Sequence, residues 1–321
     1  MKKRWEAMMQ ATVNNMTNYI KHIPVLLEES VDLLVTDPDG IYVDATLGGG
    51  GHTSAILEQL SEDAILFGID QDQEALDEAT SRIGRDDRFH PVIGNFGYLS
   101  TLLPLDVHGS VSGILFDLGV STHQIKEPDR GFSFQMDGPL DMRMGAMSGV
   151  SAYQVVNEYP YEKLRDIIYH YGEERLSRQI ARAILDRRPV ETTGELYKII
   201  SDVVYSKEIK SAARVFQAIR IEVNRELDML KTALEAALQL LKPEGRMVAI
   251  SYHSLEDRIV KTFFKSGNHE GRIEKDFYGH ELTPVEPIGK LKTPGKEEVR
   301  TNPASRSAKL RAARKLDREE E

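Results

Sequence analysis

The chain has 321 residues, of which 40% are hydrophobic and 29% charged, and no segment approaches the ~20 apolar residues that a membrane-spanning helix needs. The formal net charge of −10 argues mildly against a nucleic-acid partner, because nucleic-acid-binding domains usually carry a basic face. The basic N-terminus lacks the apolar segment of a secretory signal. We therefore expect a cytoplasmic protein without a membrane partner, in which residues 1–18 form a loose extension.

A strand, a glycine loop and the start of a helix are predicted in succession. The apolar residues 41–43 lead into Asp44-Ala-Thr-Leu-Gly-Gly-Gly-Gly-His52, and an amphipathic pattern follows to residue 60. Glycine lets the backbone approach a ligand closely, and a helix N-terminus offers unpaired N–H groups. We interpret this stretch as a cofactor cradle. The alternative is a hairpin tip without a ligand, which the helical pattern disfavours.

Strands and helices then alternate along the chain. Further strands are predicted at 64–70, 89–93, 111–117 and 246–250, and helices at 22–34, 73–83 and, as one long crossover helix, 212–241. The alternation indicates βαβ units and therefore an α/β fold with a mostly parallel, doubly wound sheet. The pattern around Ser254 and Asp257 predicts another helix start after the fifth strand.

The stretch between the fourth and fifth strands is far longer than one crossover requires. The additional residues are predicted to form helical segments at 160–171 and 173–188 and a third helix that begins at the capping box Thr192-Thr-Gly-Glu195. The predicted domains follow from this insertion. They are a sheet domain of residues 19–132 and 211–316, an inserted helical subdomain of residues 133–210, and a frayed tail of residues 317–321.

Two regions are rich in positive charge despite the acidic total. Arg178 and Arg182 lie in the insertion, and Arg306, Lys309 and Arg311 lie in the basic stretch 290–315, where residues 302–311 could form a final edge strand. These five residues are candidates for RNA binding. The alternative, for the insertion, is solvated helix faces with i,i+4 ion pairs.

The carboxyl ends of the predicted strands carry the chemistry, as expected where an open parallel sheet binds its ligand. Asp70 can accept hydrogen bonds from ribose hydroxyls, and Phe96 can lie against a purine. The ligand should therefore contain an adenosine. A nicotinamide cofactor is the rival, because Asp70 follows Gly50 by 20 residues. However, the third glycine of that fingerprint would fall on Thr53 or Ser54.

Several motifs together resemble one bacterial family. They are Asp44-Ala-Thr-Leu-Gly-Gly-Gly-Gly-His-Thr53, Gly68-Ile-Asp70, Gly94-Asn-Phe96, Asp117-Leu-Gly-Val-Ser-Thr-His-Gln124, Arg130-Gly-Phe-Ser-Phe134, Gly138-Pro-Leu-Asp-Met-Arg143, Ser251-Tyr-His-Ser-Leu-Glu-Asp-Arg258 and Asn302-Pro-Ala-Ser-Arg-Ser-Ala-Lys-Leu-Arg311. The chain, from about residue 22 to residue 315, is similar to the RsmH (MraW) family of small-subunit rRNA cytosine-N4 methyltransferases.

The resemblance implies a class I, Rossmann-like methyltransferase that uses S-adenosyl-L-methionine (SAM). Its implied substrate is a decoding-centre cytidine of 16S rRNA within the small (30S) ribosomal subunit. The residues implied to contact SAM are Gly50, Gly51, His52, Asp70, Phe96, Asp117 and Gln124.

The absence of cysteine agrees with this chemistry. Methylation of a pyrimidine C5 normally needs a thiolate, so methylation of N or O remains. Many amino-methyltransferases grip the amine with an Asp/Asn-Pro-Pro-aromatic loop, but this chain has Asp117-Leu-Gly-Val120. Asp117 and His253 are the catalytic candidates. Asp117 could instead hold the amino-acid end of SAM, which the resemblance favours, and His253 could instead be a helix-start residue bonded to backbone.

Other interpretations stay open at this point. A metal site built from His52, His123 and His253 has no supporting ligand spacing, so we expect no metal. A SAM-dependent enzyme acting on small molecules and a catalytically idle protein that binds rRNA during assembly are the alternatives from other classes. The sequence does not determine the oligomeric state.

Overall fold

The computed structural model describes residues 24–145 and 149–317. The predicted N-terminal extension and residues 318–321 of the predicted tail lie outside the described residues. The strands are β1 (Ile41–Asp44), β2 (Ile65–Asp70), β3 (Phe89–Ile93), β4 (Val111–Asp117), β5 (Leu241–Ser251), β6 (Glu274–Lys275), β7 (Glu281–Leu282), β8 (Val285–Lys292) and β9 (Lys309–Lys315). The helices before the insertion are α1 (Leu27–Leu34), α2 (Gly51–Leu57), α3 (Gln73–Ile83), α4 (Leu99–Leu102) and α5 (Thr122–Lys126). The later helices are α6 (Ala152–Glu158), α7 (Tyr161–His170), α8 (Ser177–Asp186), α9 (Thr193–Val203), α10 (Glu208–Asn224), α11 (Glu226–Leu240), α12 (Ser254–Ser266) and α13 (Lys296–Thr301).

Seven strands form one sheet in the order β3-β2-β1-β4-β5-β9-β8. The first five are parallel, and β9 runs antiparallel to both β5 and β8. Six of the seven residues of β4 are buried, as expected for a central strand with helices on both faces. The predicted α/β fold with a mostly parallel sheet is confirmed. In the part of the chain that the structure describes, no helix is long and apolar enough to cross a membrane.

The C-terminal strand differs from the prediction. Residues 302–311 were expected to supply an edge strand, but the strand is Lys309–Lys315 and lies between β5 and β8. Leu310, Ala312 and Ala313 are buried there because β8 covers its outer side and helices cover its faces. The edge strand is β8, whose Pro287 and Gly289 weaken its strand signal in the sequence.

The predicted single helix 212–241 is also wrong. The chain breaks at Arg225, which has a left-handed backbone with φ of 51°, and continues as α11. Just before the break, the side chain of Asn224 accepts a hydrogen bond from the backbone N–H of Met144 (2.9 Å) and donates one to the carbonyl of Met142 (2.8 Å). The break lets α10 and α11 pack against different cores.

A second hydrophobic core lies among helices α6 to α10. The predicted segments correspond to α7, α8 and α9, the last with its capping box of Thr192 and Glu195, while α6 was not predicted. Val215 and Ile219 of α10 are fully buried in this core, although the predicted boundary of the insertion is residue 210. The boundaries of the domains stay predictions. Helix α10 packs with the helices of the insertion.

Candidate functional site

A cleft opens at the carboxyl ends of the parallel strands, where the sequence places its cofactor site. Six of the predicted SAM contacts line it: Gly51, His52, Asp70, Phe96, Asp117 and Gln124. Gly50 is not among the residues that line the cleft, and neither is the catalytic candidate His253. The residue before it, Tyr252, does line the cleft.

Close contacts with neighbouring segments of the same chain determine the shape of the glycine loop. Gly50 has φ of +74°, and a Cβ atom there would lie 2.9 Å from the Cβ of Ala79 on α3. A Cβ atom on Gly51 would lie only 2.4 Å from Cγ of Pro24. Both glycines are therefore needed to bring α2 close to its neighbours. This close packing turns the chain sharply enough for the rest of the loop to form one wall of the cleft.

Asp70 ties this loop to the end of β2. Its Oδ2 accepts a hydrogen bond from the backbone N–H of Gly48 (2.9 Å), and its Oδ1 accepts one from that of Asp72 (2.9 Å). Burial raises the pKa of the Asp70 carboxyl to about 6, although these two hydrogen bonds oppose the rise. The carboxylate is thus held at the cleft in one orientation, and its protonation state changes close to physiological pH.

Phe96 follows β3 and begins a short 3₁₀ turn whose cap is Asn95. Its ring packs edge-on against Phe116, with ring centroids 6.3 Å apart. This contact holds the ring at the cleft as an apolar wall, beside Asp70. A flat aromatic ligand group could lie there.

Asp117 lies at the other end of the cleft, between two polar side chains. Its Oδ1 accepts a hydrogen bond from the hydroxyl of Tyr252 (2.8 Å), and its Oδ2 lies 3.6 Å from Nδ1 of His52. Burial lowers the pKa of His52, so the ring is neutral near pH 7, and its Nε2 lies 3.2 Å from the carbonyl oxygen of Val25 and donates to it. Asp117 thus accepts a hydrogen bond from a phenol and lies beside a neutral imidazole ring.

A third carboxylate, Asp44, lies behind His52. Its Oδ2 accepts a hydrogen bond from the hydroxyl of Thr53 (2.7 Å), and burial raises its pKa. Asp44, Asp70 and Asp117 thus end three adjacent strands of the sheet. Asp70 and Asp117 line the cleft, whereas Asp44 does not, and the ionised carboxylates of the first two favour a ligand that carries positive charge.

The segment after β4 folds over the cleft. Gln124 donates a hydrogen bond from Nε2 to Oδ2 of Asp72 (3.0 Å), and Nη2 of Arg130 donates to the same oxygen (2.8 Å). Arg130 also donates to the carbonyl of Met144 (3.0 Å), which lines the cleft. Asp72, Arg130 and Met144 were not among the predicted site residues. Two local signals exist, the capping box of Ser121 with Gln124 and the position of Asp72 as the N-cap of α3.

His253 caps helix α12. Its Nδ1 accepts from the backbone N–H of Glu256 (3.5 Å), and Oε2 of Glu256 accepts from the backbone N–H groups of Tyr252 (2.8 Å) and His253 (3.3 Å). The predicted helix start is confirmed, because α12 begins at Ser254, but the capping residue is His253, one position earlier. The alternative interpretation of His253 as a helix-start residue matches these contacts. A catalytic role for His253 stays a prediction.

One set of possible metal ligands occurs in the described ranges, namely Glu226, His253 and Glu256. Arg220 already donates to both carboxylate oxygens of Glu226, each at 2.8 Å. The guanidinium supplies the positive charge that a metal ion would bring, so we assign no metal to this set. His52, His123 and His253, considered above as a metal site without supporting ligand spacing, do not form such a set among the described residues.

The five candidate RNA-binding residues differ in their surroundings. Arg178 and Arg306 are exposed, and Arg182 forms an exposed i,i+4 pair with Asp186 (3.2 Å). Lys309 and Arg311 both donate to Asp257, at 3.0 Å and 2.8 Å. These last two side chains fasten β9 to α12, a structural role that the sequence did not reveal. Their contact with RNA stays a prediction.

Comparison with known proteins gives consistent results. Residues 19–316 match the model of the MraW methylase family. The ribosomal RNA small subunit methyltransferase H of Flavobacterium johnsoniae is 47% identical over 299 residues, which cover 92% of this chain and 98% of that protein. Proteins of the same name from Bacteroides fragilis strain YCH46 and Caldicellulosiruptor bescii are each 48% identical, covering 92% of this chain and 97% and 99% of theirs.

Solved structures resemble the chain more distantly. A putative rRNA-methylase from Clostridium thermocellum is 14% identical, with a TM-score of 0.44 over 92% of this chain and 99% of that one. A putative methyltransferase from Streptococcus mutans, in complex with SAH, is 14% identical, with a TM-score of 0.42 over the same shares. These similarities are too distant to support an inference about the site. The family model and the sequence relatives, in contrast, span nearly the whole chain, and the chain therefore belongs to the MraW methylase family.

Proposed function

We propose that the protein methylates N4 of a decoding-centre cytidine of 16S rRNA, cytidine 1402, within the 30S subunit in the cytoplasm. Family membership makes the chain a SAM-dependent rRNA methyltransferase with a class I fold. The target atom and the assembled subunit as substrate are the proposal. The observation that carries it is the cleft of Asp70, Phe96 and Asp117 beside a helical subdomain, in a chain whose relatives are named ribosomal RNA small subunit methyltransferase H.

The residues of the cleft suit SAM, which supplies an electrophilic methyl group on a positively charged sulfur. Asp70 would accept hydrogen bonds from the ribose hydroxyls, and Phe96 would lie against the adenine. Asp117 and Gln124 would hold the amino-acid end. The carboxylates of Asp70 and Asp117, which line the cleft, favour a cationic ligand, and the hydrogen bonds that fix Asp70 reduce the entropy lost on binding.

The target amine requires help from the protein. An exocyclic cytosine amine is a poor nucleophile because its lone pair is delocalised into the ring, so the site must align it and accept its hydrogens. Methylation of C5 would need a cysteine thiolate, and the chain has none. The carboxylate of Asp117, or backbone carbonyls at Leu118 and Gly119, lie where β4 ends and could accept the hydrogens.

Methyl transfer to isolated small subunits that lack the modification tests the proposal. With tritiated SAM, we expect label in 16S rRNA, and mass spectrometry should find it on cytosine N4 without a covalent protein–RNA adduct. An enzyme for small molecules would label no RNA, and an idle assembly factor would bind subunits without transferring label. A methyl group on C5 would contradict the proposal.

The first residue to test is Asp70. Replacing it by alanine removes the proposed ribose acceptor, so Asp70→Ala should weaken SAM binding by about 1.5–3 kcal/mol, the range for hydrogen bonds to a charged group. Calorimetry measures the affinity, and a thermal melt shows that the variant is folded. Asp77→Ala, an exposed acid on α3, is the matched control and should bind as the parent does. Unchanged affinity in folded Asp70→Ala would remove Asp70 from the site.

SAM binding should also depend on pH through Asp70. Because its pKa is raised to about 6, the carboxylate is ionised at pH 8 and mostly protonated at pH 5. The ionised form is the better acceptor, so affinity should fall as pH falls through 6, by about tenfold between pH 8 and pH 5. The measurement is calorimetry across this range. Asp70→Asn should bind weakly with a flat profile, and an equally steep profile in that variant would assign the titration to another group.

The insertion and the basic stretch should contact the subunit. The triple variant Arg178→Glu, Arg182→Glu and Arg306→Glu should bind SAM normally but bind the small subunit less tightly. If these side chains neutralise phosphates, the slope of log affinity against log salt should flatten by about 0.7–0.9 for each phosphate that is no longer neutralised. Arg85→Glu, exposed after α3, serves as a control. Equal slopes for variant and parent would mean that the three arginines are solvated surface.

A further inference from the structure

Tyr252 places a hydroxyl group beside Asp117 in the cleft. It is the first residue after β5, its ring lines the cleft together with Asp117 and Gly119, and its hydroxyl donates to Oδ1 of Asp117 at 2.8 Å. Resting on the proposed function, we propose that the Tyr252 hydroxyl accepts a hydrogen bond from the target amine and relays the amine proton to Asp117. Tyr252 would then be a catalytic residue, and Asp117 the final proton acceptor.

The backbone of Tyr252 is held by Glu256 of helix α12. Its backbone N–H donates to Oε2 of Glu256 (2.8 Å), inside the capping box that begins α12. Burial alone would raise the pKa of Glu256, but the hydrogen bond from His253 and the charge of Arg220 outweigh it, and the pKa is lowered. Glu256 is therefore ionised and remains a strong acceptor. Glu256 holds the backbone of Tyr252 and Asp117 holds its hydroxyl, so the side chain loses little freedom when a substrate arrives.

A phenol can do at this place what a carboxylate cannot. A carboxylate only accepts hydrogen bonds, whereas a phenol donates one and still has lone pairs to accept another. While its proton points to Asp117, the oxygen can accept from an amine N–H. Burial and the neighbouring Asp117 raise the pKa of Tyr252 well above its ordinary value, so the hydroxyl keeps its proton near neutral pH.

The relay balances charge in the reaction. The N4 lone pair forms the N–CH₃ bond while the S–CH₃ bond breaks, and the electron pair of that bond stays on sulfur. The amine then carries a positive charge and gives one proton to the Tyr252 oxygen, while the Tyr252 hydroxyl proton passes to Asp117. The cleft begins with a cationic sulfur and an anionic carboxylate and ends with neither charged. The reaction therefore leaves no new charge on these two groups.

The test uses Tyr252→Phe in the full-length protein, because this change keeps the ring and removes only the hydroxyl. We expect the SAM dissociation constant, measured by calorimetry, to stay within about twofold of the parent. Single-turnover methylation of small subunits at saturating SAM should fall by about 100-fold or more, the lower end of the range for a lost proton-transfer group. Tyr169→Phe, exposed on α7, should change neither quantity.

A second variant separates proton relay from shape. Protein carrying 3-fluorotyrosine at position 252 keeps the hydroxyl but has a less basic oxygen, so the single-turnover rate should fall while SAM affinity and the melting temperature hold. Gln124→Ala provides the comparison for a residue that only holds the cofactor. The inference is overturned by a parent-like rate in Tyr252→Phe, or by weaker SAM binding, matching Gln124→Ala, with the rate at saturating SAM unchanged. If the parent protein itself does not methylate N4, the proposed function is overturned instead.

Discussion

The carboxylates of Asp70 and Asp72 hold the walls of the cleft together. Asp70 accepts from the backbone of Gly48 and of Asp72, and Asp72 accepts from Gln124 and Arg130. These contacts connect the glycine loop, the end of β2 and the segment after β4, which come from separate parts of the chain. Because each oxygen has a defined donor, the cleft has its shape before any ligand arrives, and binding does not have to order it. The cost is a buried carboxylate whose pKa is raised to about 6.

The parallel part of the fold was predictable because its signals are local. Strands β3 and β4 and helix α3 have the predicted bounds. The apolar run of β4 ends on Asp117, β3 ends before Gly94, and α3 is a capped amphipathic run, so each element marks its own limits. The strand-end residues Asp70, Phe96 and Asp117 followed from the same rule, because a parallel sheet brings its carboxyl ends to one edge.

The features that could not be predicted depend on contacts between residues far apart in the sequence. The break at Arg225 is coupled to Asn224, whose partners Met142 and Met144 lie about 80 residues earlier in the chain. The place of β9 inside the sheet depends on β8, a strand with a weak local pattern. The close packing of Gly50 against Ala79 of α3 also had no local signal, and the contact of Gly50 with SAM stays a prediction. In each case, a local pattern is compatible with two arrangements and tertiary packing selects one.

The contact between Asn224 and Met144 joins the two halves of the molecule at the cofactor site. Met144 lines the cleft, and Asn224 ends a helix whose apolar side packs in the helical core. A displacement of that helix would therefore pull on one wall of the cofactor cleft. Binding of a large substrate by the helical subdomain and retention of the cofactor would then be thermodynamically linked, so that each increases or decreases the affinity for the other by the same factor.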